Sequence, residues 1–245
     1  VLVKKEDIEK SELALFQQGW FSEEITDYDE QYYRQWAHEI PPLKHIKRGT
    51  ILDLHHNILQ LMTGHTVDSN KLFSQSTNSP IVNSAFVLSP EMMVMHSAVH
   101  LFHESEFNKG LRDLIDIKTL IKHFSINNKN FINALINTAK DFGFEREIYF
   151  ALKYSDNILH SNYLSHIDKS IVFNLNGKWD SKVLDFCFNH IFNSYHQSCY
   201  NWKMRISEKV LFFRGHLIRM PLKLLLPHTI RKSWLKVINN TNNKK

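Results

Sequence analysis

The spacing of apolar positions changes character along the chain. Val1-Leu2-Val3 is a short apolar stub followed at once by charge, which reads as the end of a strand. Residues 5–18 carry Ile8, Leu13 and Phe16 near helical spacing, and Gly19 stands where a C-cap belongs, so a helix is predicted there. Residues 32–39 alternate and are predicted as a strand, ended by Pro41-Pro42 because proline cannot donate to a sheet ladder. Gly49 precedes Thr50-Ile51-Leu52-Asp53-Leu54-His55, β-branched and alternating, and a further strand is predicted there.

From residue 68 the period becomes helical. Ser89-Pro90-Glu91 is a helix start, with Ser as N-cap, Pro at the first helical position and an acid in the first turn. That helix runs to about His103. After Gly110, the stripe Leu111, Leu114, Ile115, Ile117, Leu120 and Ile121 predicts a second. Asn127 or Asn128 caps a third, which carries Phe131, Leu135, Ile136 and Ala139 and ends at Gly143. A fourth covers about 144–159, and a fifth, after Gly177, roughly 180–198. Trp202 to Ile238 is helical by pattern but broken by Pro221 and Pro227, and residues 239–245 read as a disordered end. There is no internal repeat.

The composition is that of an ordinary globular chain, with 245 residues, 43% hydrophobic and 12% aromatic. Seven glycines argue against a glycine-rich phosphate loop, and no Walker, dinucleotide or G-x-S-x-G motif is present. Cys187 and Cys199 are too few for a disulfide scaffold or a four-cysteine zinc site, and no charge pattern near them argues for a reactive thiol. No apolar run is long enough for a transmembrane helix. Charge is unevenly placed. Residues 200–245 hold eleven Lys or Arg and one acid, Glu208, a net of +10, which leaves −5 for the first 199 residues of a +5 chain. This segment reads either as a solvated basic face or as a surface for an anionic partner, nucleic acid or lipid.

Three constellations could carry chemistry. Alternation puts Asp53 and His55 on one face of their strand and Leu52 and Leu54 on the other. A carboxylate so placed can hold a divalent cation, though not alone. His96, His100 and His103 share one helix face at offsets of four and seven. That spacing suits a metal, but Ser97 stands where a metalloprotease needs Glu, and the surrounding Met92, Met95, Val99 and Leu101 favour a packed helix with polar handles. Arg112 and Asp116 lie four apart and can pair on a surface, or Arg112 can point into a cleft and bind phosphate.

Taken in order, several segments resemble the uncharacterised nucleotidyltransferases of the DNA-polymerase-β-like superfold. They are Ala37-His38-Glu39-Ile40-Pro41-Pro42-Leu43, Leu52-Asp53-Leu54-His55, Leu88-Ser89-Pro90-Glu91 with His96 and His100, Leu111-Arg112-Asp113-Leu114-Ile115-Asp116, and the helix from Ala139 to Phe144. The resemblance spans about residues 1–165. It implies an α+β, mostly helical chain, with a remnant of a mixed nucleotidyltransferase β-sheet over 1–66 and a helical domain over 67–165; beyond the resemblance, the residue pattern alone predicts a basic helical region over 166–238 and a disordered tail over 239–245.

In that superfold a Gly-Ser pair and an Asp-x-Asp come early and a third carboxylate later. Together the carboxylates hold two Mg²⁺ ions that bind a nucleoside triphosphate and activate the attacking hydroxyl. Asp53 matches the third carboxylate, as catalytic metal ligand. His55 is implied as a contact to the substrate or to a ligand, and Arg112 as a phosphate contact. The Gly-Ser and Asp-x-Asp have no match, so the expectation is a chain that starts just after its Asp pair and is inactive alone. The parent protein would transfer a nucleotidyl group to an unidentified acceptor, in the cytoplasm where the triphosphate is found. The alternatives are a non-catalytic helical module whose basic tail binds an anionic surface, and a histidine-ligated metal protein centred on His100.

Overall fold

A computed structural model describes residues 1–22, 25–59, 67–79, 81–83, 85–167, 171, 181–193, 196 and 198–219. Gly177, the breaks at Pro221 and Pro227 and the expected disordered tail lie outside the described residues. The fold is α+β and mostly helical, as expected, and the chain divides into two compact units, Val1–Ser74 and Gln75–Ile218.

In the first unit, a 3₁₀ turn over Lys5–Asp7 leads into α1 (Ile8–Gln17). Gly19 closes the helix with φ +88°, and its N–H donates to the Phe16 carbonyl. A three-stranded antiparallel sheet follows in the order β1 (Trp20–Ser22), β2 (Leu43–His45) and β3 (Ile51–Leu52). The strand expected over 32–39 is corrected. Its first half belongs to α2 (Asp27–Gln35), because Thr26 caps the helix by accepting from Asp29 N, and Asp27, Asp29 and Glu30 load its first turn with acid. The strand expected over 50–55 is also shorter, with only Ile51 and Leu52 in the sheet proper.

Beyond β3 the chain continues as a backbone ladder. Val3 N donates to His55 O at 2.9 Å, His55 N to Val1 O at 2.7 Å and Val1 N to Asp53 O at 2.7 Å, so the N-terminal stub runs parallel to 53–55. On the other side, Ile40 N donates to Leu54 O at 3.0 Å and His56 N to His38 O at 2.8 Å, an antiparallel pairing centred on Glu39 opposite His55. Ile8, Ile40, Leu43 and Leu54 form the buried core beneath, with Val3, Leu15, Trp20 and Leu52 packed against it. The unit ends with the short helix α3 (Ser69–Ser74).

The second unit begins with a hairpin, β4 (Ser76–Asn78) and β5 (Phe86–Leu88), that the polar sequence does not announce. The helices follow nearly as the pattern predicts: α4 (Pro90–His103), α5 (Gly110–Asn127), α6 (Phe131–Phe142), α7 (Glu145–Leu159), α8 (Lys182–Ile191) and α9 (Trp202–Arg219). Ser89 caps α4 by accepting from Met92 N, and Gly143 ends α6 at φ +74°. α8 stops at Ile191, short of the expected 198.

α4 is central and packs on α5, α6 and α7. Phe102, Phe150, Tyr154 and Phe188 are buried, and each ring contacts the other three at centroid distances of 4.9–6.2 Å. At the end of α4, Arg214 on α9 donates to the Phe102 carbonyl at 2.7 Å, satisfying one of the acceptors that a helix C-terminus leaves open.

Candidate functional site

The ladder around residues 53–55 brings the chemistry-bearing side chains together. Leu54 is fully buried and Leu52 packs on the same core, so alternation turns Asp53 outward, exposed, and leaves His55 half-buried. The antiparallel partner contributes His38 and Glu39, anchored by the buried Ala37 and Ile40 on either side. Glu39 Oε2 lies 3.3 Å from His55 Nε2, and the His38 and His55 rings are 5.2 Å apart. One ligand atom from each of His38, Glu39 and His55 lies within 4.8 Å of the others.

The local field is acidic. Burial pushes the Glu39 carboxyl above the usual carboxylate range, and the negative charge of Asp53 adds to that push. Tyr33 is raised by burial and then by the charges of Glu39, Asp29 and Asp53. His56, one residue on and buried, is lowered by burial and by Lys5. The charge of Asp53 therefore reaches Glu39, and a cation nearby would favour the ionised form of Glu39.

The donor set tests the implied Mg²⁺. Mg²⁺ takes oxygen ligands in near-octahedral order and commonly binds through one or two carboxylates plus water and phosphate. The exposed carboxylate of Asp53 fits that role. The imidazoles of His38 and His55 do not, because nitrogen donors suit transition metals rather than Mg²⁺.

Arg112 sits on α5 in the second unit. It is exposed, and its guanidinium donates to Asp113 Oδ1 at 2.6 and 3.1 Å. The expected surface partner Asp116 is thus replaced by the adjacent acid. The α4 histidines do not converge. His103 is buried with Nε2 3.1 Å from Glu147 Oε1, His100 is exposed with Nδ1 3.6 Å from Glu104, and the His96 and His100 rings are 6.3 Å apart. Cys187 is buried, and burial raises its thiol, so it is poorly suited as a nucleophile.

His38 and Glu39 appear in the sequence as part of a resembling segment, but nothing there marks them as site residues. The signal that finds them is the register pairing Glu39 with His55, which spacing along the chain does not reveal.

Comparison with protein-family models matches residues 1–160 to a family described as uncharacterised nucleotidyltransferase. No curated protein and no solved structure matches the chain. No helix among the described residues is long and apolar enough to cross a membrane.

Proposed function

The chain belongs to the uncharacterised nucleotidyltransferase family, and from that premise we propose that it serves transfer of a nucleotidyl group from a nucleoside triphosphate to an acceptor, with Asp53 as a Mg²⁺ ligand. The observation that carries this reading is the place of Asp53: an exposed carboxylate on a backbone held by bonds from both sides, inside the matched segment. When bound there, Mg²⁺ would neutralise triphosphate oxygens and lower the pKa of an attacking hydroxyl.

The chain's own residues supply the positioning. Leu52 and Leu54 pin the strand to the core, so the Asp53 carboxylate is presented without a large entropy cost. His55 is held by Glu39 and serves in this reading as a contact that orients substrate. Arg112, whose guanidinium is held by Asp113, would contact a phosphate by exchanging that carboxylate for it. Two-metal catalysis needs more carboxylate oxygen than Asp53 gives, so the 245-residue chain is expected to bind metal–triphosphate without turnover.

The test is titration of the 245-residue chain with a fluorescent nucleoside triphosphate, with Mg²⁺ and with a chelator. Binding should require Mg²⁺ and weaken at least about tenfold in Asp53→Ala, since a ligand carboxylate is lost. Equal binding by wild type and Asp53→Ala would remove Asp53 from the site.

The basic segment supports a second, separable reading as a surface for anionic partners. Lys203, Arg205 and Lys209 lie on α9 with Glu208 as the acid among them, whereas Arg214 turns inward to Phe102. Such binding should fall steeply with salt, while Mg²⁺-dependent triphosphate binding should follow the metal.

A further inference from the structure

We infer that His38, Glu39 and His55 form a binding site for a borderline divalent transition metal of the Zn²⁺ class, distinct from the Mg²⁺ role proposed for Asp53. Three features of the ladder carry it. The first is distance. A tetrahedral ion with bonds of about 2.0–2.1 Å holds its ligand atoms about 3.4 Å apart. Glu39 Oε2 and His55 Nε2 already stand 3.3 Å apart, one edge of such a tetrahedron, and the third ligand atom lies within 4.8 Å of both.

The second feature is the scaffold. The ligands come from two antiparallel segments whose register is fixed by Glu39 opposite His55 and by the 2.8 Å bond from His56 N to His38 O. The core residues Ala37, Ile40 and Leu54 flank them and are at most 3% exposed, so the backbone under the ligands is held by packing as well as by the ladder. A site on paired backbone pays little ordering entropy on binding.

The third feature is donor chemistry. Two imidazoles and one carboxylate select transition metals over Mg²⁺ or Ca²⁺. Three protein ligands leave a coordination position open, the arrangement of a reactive rather than a purely structural zinc site. The side chains of His55 and Glu39 are 31% and 27% exposed, so water or a substrate group can reach that position. The nearby charge of Asp53 favours a cation without being one of the three ligands.

The experiment uses the tag-free 245-residue chain, stripped with chelator, titrated calorimetrically with Zn²⁺ and separately with Mg²⁺, and then loaded with Co²⁺ for visible spectroscopy. The expected result is one equivalent of Zn²⁺ per chain, no comparable Mg²⁺ binding at this site, and Co²⁺ bands of four-coordinate geometry. Glu39→Gln, which keeps the side-chain shape, and His38→Asn should each weaken Zn²⁺ at least about tenfold, with far-ultraviolet circular dichroism confirming the fold. His100→Ala, at an exposed histidine on α4, should leave Zn²⁺ unchanged, which separates the site from casual binding by the chain's fifteen histidines. Asp53→Asn should keep Zn²⁺ while losing Mg²⁺-triphosphate, so the two readings fail separately. Absence of a stoichiometric Zn²⁺ site, or equal affinity in Glu39→Gln and His38→Asn, overturns the inference.

Discussion

Replacing Glu147 with Gln should cost stability at neutral pH and almost nothing in strong acid. The Glu147 side chain is 3% exposed, and its Oε1 receives Arg146 Nη2 at 2.7 Å and Nε at 3.0 Å while facing His103 Nε2 at 3.1 Å. Burial acts to raise its pKa. The His103 hydrogen bond and the Arg146 charge oppose that and win, leaving the carboxyl at about 2 against an ordinary 4.5. At 1.36 kcal/mol per pH unit, that difference is worth about 3 kcal/mol. Because the folded value is depressed, this stability is fully present above pH 4.5 and drains away as pH falls toward 2. Gln imitates the protonated acid. The assay is urea unfolding of wild type and Glu147→Gln, followed by far-ultraviolet circular dichroism at pH 7, 5, 4 and 3. The variant should be less stable by about 3 kcal/mol at pH 7, with the gap shrinking steadily below pH 4.5. A gap of constant size from pH 7 to pH 3 would show that Glu147 matters through shape rather than charge, and would refute the argument.

Three further substitutions have defined outcomes. At Gly215 an added Cβ would lie 2.6 Å from both the Glu104 carbonyl oxygen and Ser105 Cα, backbone atoms that cannot rotate away, so Gly215→Ala should cost about 1–3 kcal/mol and lower the melting temperature. Gly143 sits at φ +74° after α6, and Gly143→Ala should cost about 1 kcal/mol in the same melt, with the left-handed conformation as the cause. The Asp156 carboxylate accepts from Tyr163 N at 2.7 Å and Leu164 N at 2.8 Å, so Asp156→Ala should cost about 1–3 kcal/mol and speed hydrogen exchange at those two amides more than in α4.

The helices of the second unit were legible where punctuation and period agreed. Ser89-Pro90 fixes the start of α4 because the hydroxyl, the ring and the acid at Glu91 all favour the same terminus. Gly143 fixes the end of α6 because a left-handed residue stops the hydrogen-bond series there. α2 departs from the alternating pattern for the converse reason. Residues 32–39 alternate, but the decisive signal lies upstream, in Thr26 and Asp29, where the Thr26 hydroxyl accepts from the Asp29 backbone N–H and donates to the Asp29 carboxylate, starting a helix. The β4–β5 hairpin gave no signal, since Ser76–Asn78 is polar throughout and Phe86 at the start of β5 is exposed rather than facing a core.

The site divides along the same line. Alternation within one strand is a local property, so the outward turn of Asp53 and the inward turn of Leu54 could be read from six residues. Which side chains stand opposite is a property of register, and register is set by burial of Ile40 and Leu54 in a shared core. A slip of one residue would carry Leu54 to the exposed side, so the hydrophobic pattern that hides His38 and Glu39 from a linear reading is also what forces them beside His55. The same core then holds two kinds of donor along one short ladder: the hard carboxylate of Asp53 facing solvent, and a nitrogen-rich triad one step further along. Their difference in chemistry, rather than their separation, is what would let Mg²⁺ and Zn²⁺ report on the two proposed sites independently.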